Sequence, residues 1–495
     1  GDVRLVARFD YINVCVCNDM QSDLPYLTRI YLIVLASLSS YILFATTAVL
    51  TNIVAPVPLL WVVPLAIYLV TFILAFRGLG QSIFMPPALI FVAYLAYEYS
   101  FAGSAWMLLH ICSYALLLLV CGLMCHAMLY KARPHLQKLP LFYLLLSFGG
   151  MLGALTASIL APAVFSGFYE FPLGIAFCAA LGGVVMREVF FPRILDDKKI
   201  FLVKIVFLIC IAVLFVKYIS KGYDPKVVAS RNFYGSVEVQ LKDEITVLMH
   251  GSTLHGFQPK SKEWRYVPNA YYVASSGVGR AILHAQVARK GKDIRVGIVG
   301  LGTAAVASYC RHGDTFVFYE IDERIEMIAR KYFSYLAHCE SSHVRIGDGR
   351  LLMESELRTG QLGTYDVVVM DAFSDDTVPA HLLTLQAIKL YVAHLRSPES
   401  IIAIHVSNRY LNLSPVMFRI ASELGLNAMT VLDDAHSNTL GKPSLWVLLS
   451  KSPKVFADVA FAGSNSKSID IRNTPLWTDD YTSLFSVVNI PLLWK

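Results

Sequence analysis

The chain has 495 residues, 56% of them hydrophobic and 16% charged, with a formal net charge of +6 and a mean hydropathy of +0.55. Soluble domains contain about 45–50% apolar residues, so this composition excludes a wholly soluble protein. The sequence lacks a basic cluster with interleaved aromatic residues, the pattern that would indicate a nucleic-acid partner. The nine cysteines show neither a CxxC pair nor a Cys/His group at metal-ligand spacing, so we interpret them as small apolar side chains and predict no metal site.

Residues 1–25 form a mixed polar segment without the layout of a signal peptide. Because the initiator Met is missing, we expect a processed or truncated start. Long apolar runs follow, and most of them reach the length of about 20 residues that a helix needs to cross a bilayer. The sequence therefore predicts a polytopic transmembrane domain over 26–221 with about seven helices; six is the alternative, because the sixth run is short. The runs are 26–50, 57–76, 83–101, 105–130, 141–165, 171–186 and 200–219.

Lys and Arg residues indicate how these helices are oriented. They concentrate at Arg29, at Arg77 and within 131–138 and 187–199, on alternate loops, which predicts a cytoplasmic N-terminus. Seven crossings would then place the C-terminal half outside, whereas one re-entrant run would keep it inside. Lysines within 217–226 favour the cytoplasmic side. We therefore expect an integral protein of a bacterial inner membrane, with the cytoplasm favoured for its soluble part.

The composition becomes globular near residue 222. Short β-type runs at 234–241, 245–249 and around 255–258 predict a small β subdomain over 222–275. Strands then alternate with helices over 276–495, which predicts a Rossmann-like domain similar to class I methyltransferases, with a parallel, doubly wound sheet that binds ligands at the carboxyl ends of its strands. The predicted strands are 296–299, 315–319, 344–346, 366–370, 401–406 and 446–449, and the predicted helices are 278–288, 324–333, 380–395 and 415–424.

A glycine turn lies in the first βαβ unit of this domain. Gly300 and Gly302 follow the first strand, a small-residue helix is expected next, and Glu320 closes the second strand. Such a turn lets a ligand approach the backbone, the helix N-terminus offers free N–H groups, and the acidic residue can bind two ribose hydroxyls. Ala305 replaces the third glycine of the dinucleotide fingerprint, so the turn alone is a weak signal.

Two more acidic residues follow predicted strands. Asp348 comes after the third strand and Asp371 after the fourth. Asp348 could instead cap a helix at 350–357, and Asp375 or Asp376 could cap the helix near residue 380. Acidic residues after three consecutive strands are better explained by one ligand with several hydrogen-bond donors. A nucleoside, with its ribose hydroxyls and exocyclic amine, is such a ligand.

Several short motifs stand out in both halves of the chain. They are PLLWVVPLAIYLVTFILAF (58–76), RNFYGSVEV (231–239), LMHGSTLHGFQ (248–258), YYVASSGVGRAI (271–282), GIVGLGTAAVA (297–307), YEID (319–322), GDGR (347–350), DAFSDDTVPAHLLT (371–384), HVSNRYL (405–411) and WTDDY (477–481). With them the chain resembles the polyamine aminopropyltransferases, or spermidine synthases, and more closely their membrane-fused bacterial form, the fused MFS/spermidine synthases. The resemblance covers most of the chain, and DAFSDDTVPAHLLT is its most specific motif.

The resemblance implies transfer of an aminopropyl group from decarboxylated S-adenosylmethionine to a diamine such as putrescine, with release of methylthioadenosine and no tightly bound cofactor. It implies Asp371 as the general base, Glu320 as the ribose ligand and Asp348 as the adenine contact. The further nucleoside residues are Gly300, Gly302, Thr303, Gly349 and Gln258, and the residues for the amine are His255, Tyr271, Tyr272, Asp375 and Asp376. The expected partners are a small amine substrate and the lipid bilayer, and a homodimer through the soluble domain is a further expectation.

The chain departs from the soluble synthases in three places. Thr303 stands where they carry an aspartate, their Y-[HQ]-E motif has no match in YYVASSGVG, and Asp371 and Asp375 are four residues apart rather than three. Two alternatives stay open. A methyltransferase-like enzyme using S-adenosylmethionine shares the sheet, the turn and the ribose acid, although DAFSDDTVPAHLLT has no role there. A non-catalytic or transporter-like membrane protein could sense a nucleoside or polyamine.

Overall fold

The computed structural model describes most of the chain and divides it into two compact units. The first unit is Gly1–Asp224 with Arg231–Phe233, and the second is Pro225–Ser230 with Tyr234–Lys495. The described residues are 24–53, 61–82, 84–99, 107–184, 189, 197–221, 226–232, 234–251, 253–372, 379–408, 411–435, 440–462 and 469–488.

The first unit consists mainly of apolar α-helices. They are α1 (Tyr26–Ile53), α2 (Val62–Phe76), α3 (Met85–Tyr99), α4 (Met107–Lys131), α5 (Leu139–Leu155), α6 (Ala161–Val164), α7 (Glu170–Val184) and α8 (Asp197–Lys221). A π-helical turn, Thr156–Leu160, joins α5 to α6. Gly149 and Gly153 of α5 face α1 so closely that a Cβ at either position would overlap the α1 backbone. Small residues thus let these two helices approach each other, as in many membrane proteins.

Four helical stretches are long and apolar enough to cross a membrane, and three apolar helices are shorter. The long ones are Tyr26–Thr51, Leu109–Lys131, Leu136–Val164 and Lys198–Tyr218; the shorter ones are Val62–Phe76, Met85–Glu98 and Glu170–Val184. The apolar windows of the third and fourth long stretches are only 22% and 17% buried within the protein. Large apolar surfaces are unfavourable in water, so these outward-facing helices are compatible with a lipid environment. The count of about seven crossings stays a prediction.

Two β-sheets form the framework of the second unit, and only residues 231–232 at the end of their first strand belong to the first unit. The smaller sheet has the strand order β1-β2-β3-β4, and the larger one the order β10-β11-β9-β8-β5-β6-β7. The strands are β1 (Lys226–Asn232), β2 (Gly235–Leu241), β3 (Ile245–His250), β4 (Thr253–Pro259), β5 (Arg295–Val299), β6 (Thr315–Glu320), β7 (Ser342–Ile346), β8 (Val367–Met370), β9 (Ile401–His405), β10 (Asn427–Asp433) and β11 (Ser444–Ser450). The α-helices are α9 (Gly277–Ala288), α10 (Glu323–Tyr332), α11 (Tyr335–His338), α12 (Gly349–Arg358), α13 (Leu385–His394) and α14 (Ser414–Glu423).

The larger sheet is covered on both faces by apolar side chains. Val296 and Ile298 of β5 pack in one core cluster with Ile282 of α9. Val299 of the same strand packs in a second cluster with Ile388 of α13. Successive side chains of a strand point to opposite faces, which explains why one short strand contributes to both clusters. The predicted Rossmann-like sheet is therefore confirmed.

The prediction of an all-parallel sheet is wrong at one strand. Strands β5 to β9 pair in parallel, whereas β11 is antiparallel to both β9 and β10. The connection from β10 to β11 is shorter than the dozen or so residues that a parallel crossover needs, so the chain reverses direction there. Strands β1 and β10 were not predicted from the sequence.

Two further predictions are corrected. The segment after the glycine turn is a short 3-10 helix, Ala305–Tyr309, rather than an α-helix. Ala304 just before it has a φ of 63°, a left-handed conformation from which a right-handed helix does not propagate. Cys310 and Cys339 form a disulfide, with Cα atoms 5.5 Å apart. The two cysteines are 29 residues apart, so no short sequence pattern indicated that they pair. The interpretation of all cysteines as apolar side chains is therefore wrong for these two.

Candidate active site

The carboxyl ends of β5 and β8 meet where the strand order of the sheet reverses, with β6 on one side of β5 and β8 on the other. Ligands of open α/β sheets bind at such a switch point. Gly300 follows β5 with a φ of +102°, and a Cβ there would overlap the main-chain carbonyl of Asp371. Only glycine therefore lets the turn lie against Asp371, whose N–H donates to the carbonyl of Val299 at 2.9 Å.

The Asp371 carboxylate is held by two donors from different elements. The hydroxyl of Tyr272 donates to Oδ2 at 2.6 Å, and Nδ1 of His405 lies 2.7 Å from Oδ1. Burial and the charge of Asp371 both raise the pKa of Tyr272 well above its usual range, so the phenol keeps its proton and acts as a donor. The carboxylate is thus fixed at both oxygens, while each oxygen retains a second lone pair.

His405 is a site residue to which sequence reasoning gave no role. It ends β9, and its Nε2 lies 2.8 Å from the hydroxyl oxygen of Ser407. Its ring stacks on Trp446 of the neighbouring β11, with centroids 4.5 Å apart and planes 12° from parallel. The signal was present in HVSNRYL, which begins at this residue and follows a buried strand.

Glu320 lies at the end of β6, where the glycine-turn prediction placed it. Its two carboxylate oxygens accept the N–H groups of Leu301 and Asp322, each at 3.0 Å. Burial raises its pKa, and these backbone hydrogen bonds oppose that rise. The carboxylate therefore holds the turn in shape, and its remaining lone pairs are those that a ribose would use. The ribose contact stays a prediction.

Strand β4 covers the glycine turn. The position of a Cβ at Gly302 is 3.0 Å from the carbonyl oxygen of His255, and a Cβ at Gly256 would lie 2.6 Å from Oγ1 of Thr303. Oγ1 of Thr303 and Nε2 of His255 are buried, and neither has a hydrogen-bond partner among the described residues. Burial lowers the pKa of His255 to about 3, so the imidazole is neutral near pH 7. Unsatisfied buried polar atoms are rare, and here two lie beside one turn.

Asp348 is engaged in local structure. Its Oδ1 caps α12 by accepting the N–H of Leu351 at 3.1 Å, and its Oδ2 lies 3.3 Å from Nε2 of His381. Gly349 permits the start of α12 to pack on β5, since a Cβ there would lie 2.7 Å from Cγ1 of Val299. The helix-cap alternative for Asp348 therefore describes one of its contacts, and the adenine contact stays a prediction.

Gln258 holds two segments together. Its amide nitrogen donates to the carbonyl of Arg265 at 3.1 Å and to the hydroxyl of Ser334 at 3.0 Å. Its amide oxygen accepts the N–H of Ser334 at 3.0 Å. Both ends of the amide are thus occupied by the protein, and a nucleoside contact would use the second lone pair of the oxygen.

Tyr271 lies beside the Asp371 cluster, with its ring 5.4 Å from that of His405. Asp375 and Asp376 lie outside the described residues, so their predicted roles stay predictions. A small cavity next to His405 has an otherwise apolar lining. The lining residues are Met370, Ala372, Pro379, Leu382 and Leu383. The structure therefore gathers Asp371, Tyr272, Tyr271 and His405 beside the glycine turn.

Comparison with known proteins gives a partial likeness. The chain is 33% identical over 99 residues to a polyamine aminopropyltransferase of Vibrio vulnificus, a stretch covering 19% of this chain and 31% of the relative. The chain thus spans about a third of the length of the curated relative that it matches. No family model matches the chain.

Two solved structures match part of the chain at low similarity. Spermidine synthase from Thermotoga maritima is 13% identical, with a TM-score of 0.33, and the match covers 46% of this chain and 73% of that one. Human methyltransferase-like protein 13, in complex with SAH, is 17% identical, with a TM-score of 0.28, over 41% of this chain and 93% of that one.

Proposed function

We propose that this protein is a membrane-anchored aminopropyltransferase-like enzyme. It would transfer the aminopropyl group of decarboxylated S-adenosylmethionine to a diamine. The observation that carries the proposal is the Asp371 carboxylate, which lies at the switch point of the sheet with 12% of its side chain exposed and is oriented by Tyr272 and His405. The likeness of a 99-residue stretch to a polyamine aminopropyltransferase supports the same reaction class.

The chemistry requires positioning and one proton acceptor. The amine nitrogen uses its lone pair to form a bond to the carbon next to the sulfonium. The carbon–sulfur bond breaks, and its electron pair neutralises the sulfur, which leaves as methylthioadenosine. The attacking amine must lose one proton, since an alkylamine such as a lysine side chain has a pKa near 10.4. Asp371 would accept that proton through a free lone pair.

The charge of Asp371 also suits a cationic substrate. Its two described side-chain donors, Tyr272 and His405, are a phenol and an imidazole rather than an arginine or lysine. A carboxylate whose charge is not cancelled by a neighbouring cation attracts an ammonium group to the site. Nε2 of His255 and Oγ1 of Thr303 are candidate contacts for the substrates, because both atoms are buried without a described partner.

The nucleoside would lie along the glycine turn. Glu320 would bind the ribose hydroxyls, Asp348 would contact the adenine, and Gly300 and Gly302 would allow close approach of the backbone. Gly349 and Gln258 would support this pocket through the packing and the hydrogen bonds described above. The apolar helices of the first unit would anchor the enzyme in a bilayer.

Incubation of the full chain in detergent with decarboxylated S-adenosylmethionine and a panel of diamines tests the proposal. We expect methylthioadenosine to form in equal amounts with an amine lengthened by an aminopropyl group. The matched control is Asp371→Asn, which keeps the volume of the side chain and removes the base. Absence of methylthioadenosine with every amine, from protein that binds the nucleoside, would refute the proposed function.

A further inference from the structure

We propose that His405 is the positioning residue for the Asp371 base. This proposal rests on the proposed function and adds a role for a histidine that the reaction itself does not require. Nδ1 of His405 and Oδ1 of Asp371 are 2.7 Å apart, and both side chains are about one-tenth exposed. A donor at this distance fixes the rotation of the carboxylate, and with it the direction of the free lone pair.

The hydrogen bonds around Ser407 assign the proton of the imidazole. Oγ of Ser407 accepts the N–H of Leu445 at 2.7 Å, and the carbonyl of Leu445 is 3.5 Å away. Nε2 of His405 is the closer acceptor for the Ser407 hydroxyl, at 2.8 Å. With Nε2 accepting from Ser407, the Nδ1–H of His405 is donated to Asp371.

The ring of His405 has little freedom to turn away. It lies flat against Trp446, and the two residues are direct partners across β9 and β11. Gly277 of α9 packs directly against Trp446, since a Cβ at Gly277 would overlap the Trp446 side chain. This contact restricts the movement of Trp446. The stack and the two hydrogen bonds together hold Nδ1 against the carboxylate.

A pair of substitutions separates this role from simple packing. His405→Phe keeps a flat ring against Trp446 and loses the N–H donor, whereas His405→Asn can place an amide N–H near the position of Nδ1. We expect His405→Phe to lower kcat by about 10- to 100-fold and to leave the dissociation constant of methylthioadenosine nearly unchanged. His405→Asn should restore much of kcat.

An unchanged kcat in His405→Phe, or an equal loss of kcat in His405→Phe and His405→Asn, would overturn the role of His405 and leave the proposed function standing. Lack of activity in the wild type would instead refute the proposed function. His405→Leu, which also lacks the donor, replaces His405→Phe if that variant does not fold. Melting temperatures of all variants on the same preparations identify losses caused by unfolding.

The disulfide supports a second, independent proposal. We infer that the second unit faces an oxidising compartment outside the cytoplasm. Disulfides persist in oxidising compartments and are rare in the cytosol. Cys310 follows the 3-10 helix after the glycine turn and Cys339 follows α11, so the pair joins the segments that lead into β6 and β7. The favoured cytoplasmic placement does not account for this pair.

The count of apolar helices agrees with that compartment. Four long and three shorter apolar helices are described, and an odd number of crossings starting from a cytoplasmic N-terminus ends outside. Lys217 and Lys221 at the end of α8 favour the opposite side. The covalent pair is the more direct indicator, because its formation requires an oxidising environment.

Membrane vesicles of both orientations, prepared without reductant from a bacterial host that expresses the full chain, test this inference. We expect mass spectrometry to recover Cys310 and Cys339 in one cross-linked peptide, and trypsin to digest the second unit in right-side-out vesicles. Cys310→Ser is the control for the cross-link. Free thiols at both positions, or digestion only in inverted vesicles, would overturn the proposal.

Discussion

The two ends of strand β8 carry the same residue type in different surroundings. Asp366 precedes the strand, accepts the N–H of Arg295 at 2.8 Å and pairs with Arg396 at 3.0 Å. Asp371 follows the strand and is bonded to Tyr272 and His405. The two carboxylates are similarly buried, at 8% and 12% exposed. Burial alone therefore does not distinguish them, whereas the charge of their partners does.

This difference separates a structural acid from a candidate catalytic one. The charge of Asp366 is balanced by Arg396 and by Arg289 at 3.7 Å, so the group ties β8 to its surroundings. The charge of Asp371 is met by a phenol and an imidazole, which orient the carboxylate without a permanent opposite charge. A cationic amine can supply that charge. We therefore expect the carboxyl end of β8 to serve a substrate and the amino end to serve stability.

The largest expected effect is at the carboxyl end. Asp371→Asn should lower turnover by about 10²–10⁴-fold, the usual contribution of a general base. The dissociation constant of methylthioadenosine should change little, because the amide preserves the shape of the site. Turnover and nucleoside binding are measured on one preparation. A variant that is destabilised yet turns over normally would show that Asp371 is only structural.

Loss of Glu320, the proposed ribose ligand, should have the next largest effect. Glu320→Ala should weaken binding of methylthioadenosine by about 1.5–3 kcal/mol for each hydrogen bond that it makes. It should also remove most of the rise in melting temperature that this nucleoside causes. Glu320→Gln, which keeps an acceptor for one backbone N–H, is the matched control. Equal thermal shifts in wild type and Glu320→Ala would exclude Glu320 from the site.

A substitution at the amino end of β8 should lower stability and leave turnover nearly unchanged. Asp366→Asn should lower the free energy of unfolding of the second unit by about 1–3 kcal/mol, because its arginine partners lose a charged acceptor. Turnover per folded molecule should stay near that of the wild type. Thermal unfolding and single-temperature kinetics measure the two quantities. A large loss of turnover without destabilisation would contradict the division between the two ends.

The smallest effect concerns the ion pair of the partly buried Arg350 with the exposed Asp479. Arg350 bonds both oxygens of Asp479, at 2.8 and 2.6 Å, and this lowers the pKa of Asp479. A folded-state pKa below the unfolded value gives stability that is present above the unfolded value and is lost as pH falls through the folded one. Asp479→Asn should therefore flatten the stability profile on the acidic side. Solvent limits the effect to less than about 1 kcal/mol. If the dependence of stability on acidic pH is the same in Asp479→Asn and the wild type, this contribution is refuted.

The sequence predicted those features that depend on local patterns. Apolar runs identified the membrane-type helices, strand–helix alternation identified the sheet, and glycine and acid spacing located Gly300, Glu320 and Asp371. Features that depend on long-range pairing were missed. His405 reaches Asp371 only because β8 and β9 are neighbours, and Cys310 meets Cys339 only in the folded unit. The strand at 446–449 was predicted, but its antiparallel direction was missed because apolar alternation does not report strand direction.

One competition measurement tests the central claim most directly. The full chain in detergent receives equal amounts of decarboxylated S-adenosylmethionine and S-adenosylmethionine with a diamine, and both nucleoside products are quantified. An aminopropyltransferase should yield methylthioadenosine together with the lengthened amine, and Asp371→Asn should abolish both. Formation of S-adenosylhomocysteine and a methylated amine, without methylthioadenosine, would contradict the account and identify a methyltransferase.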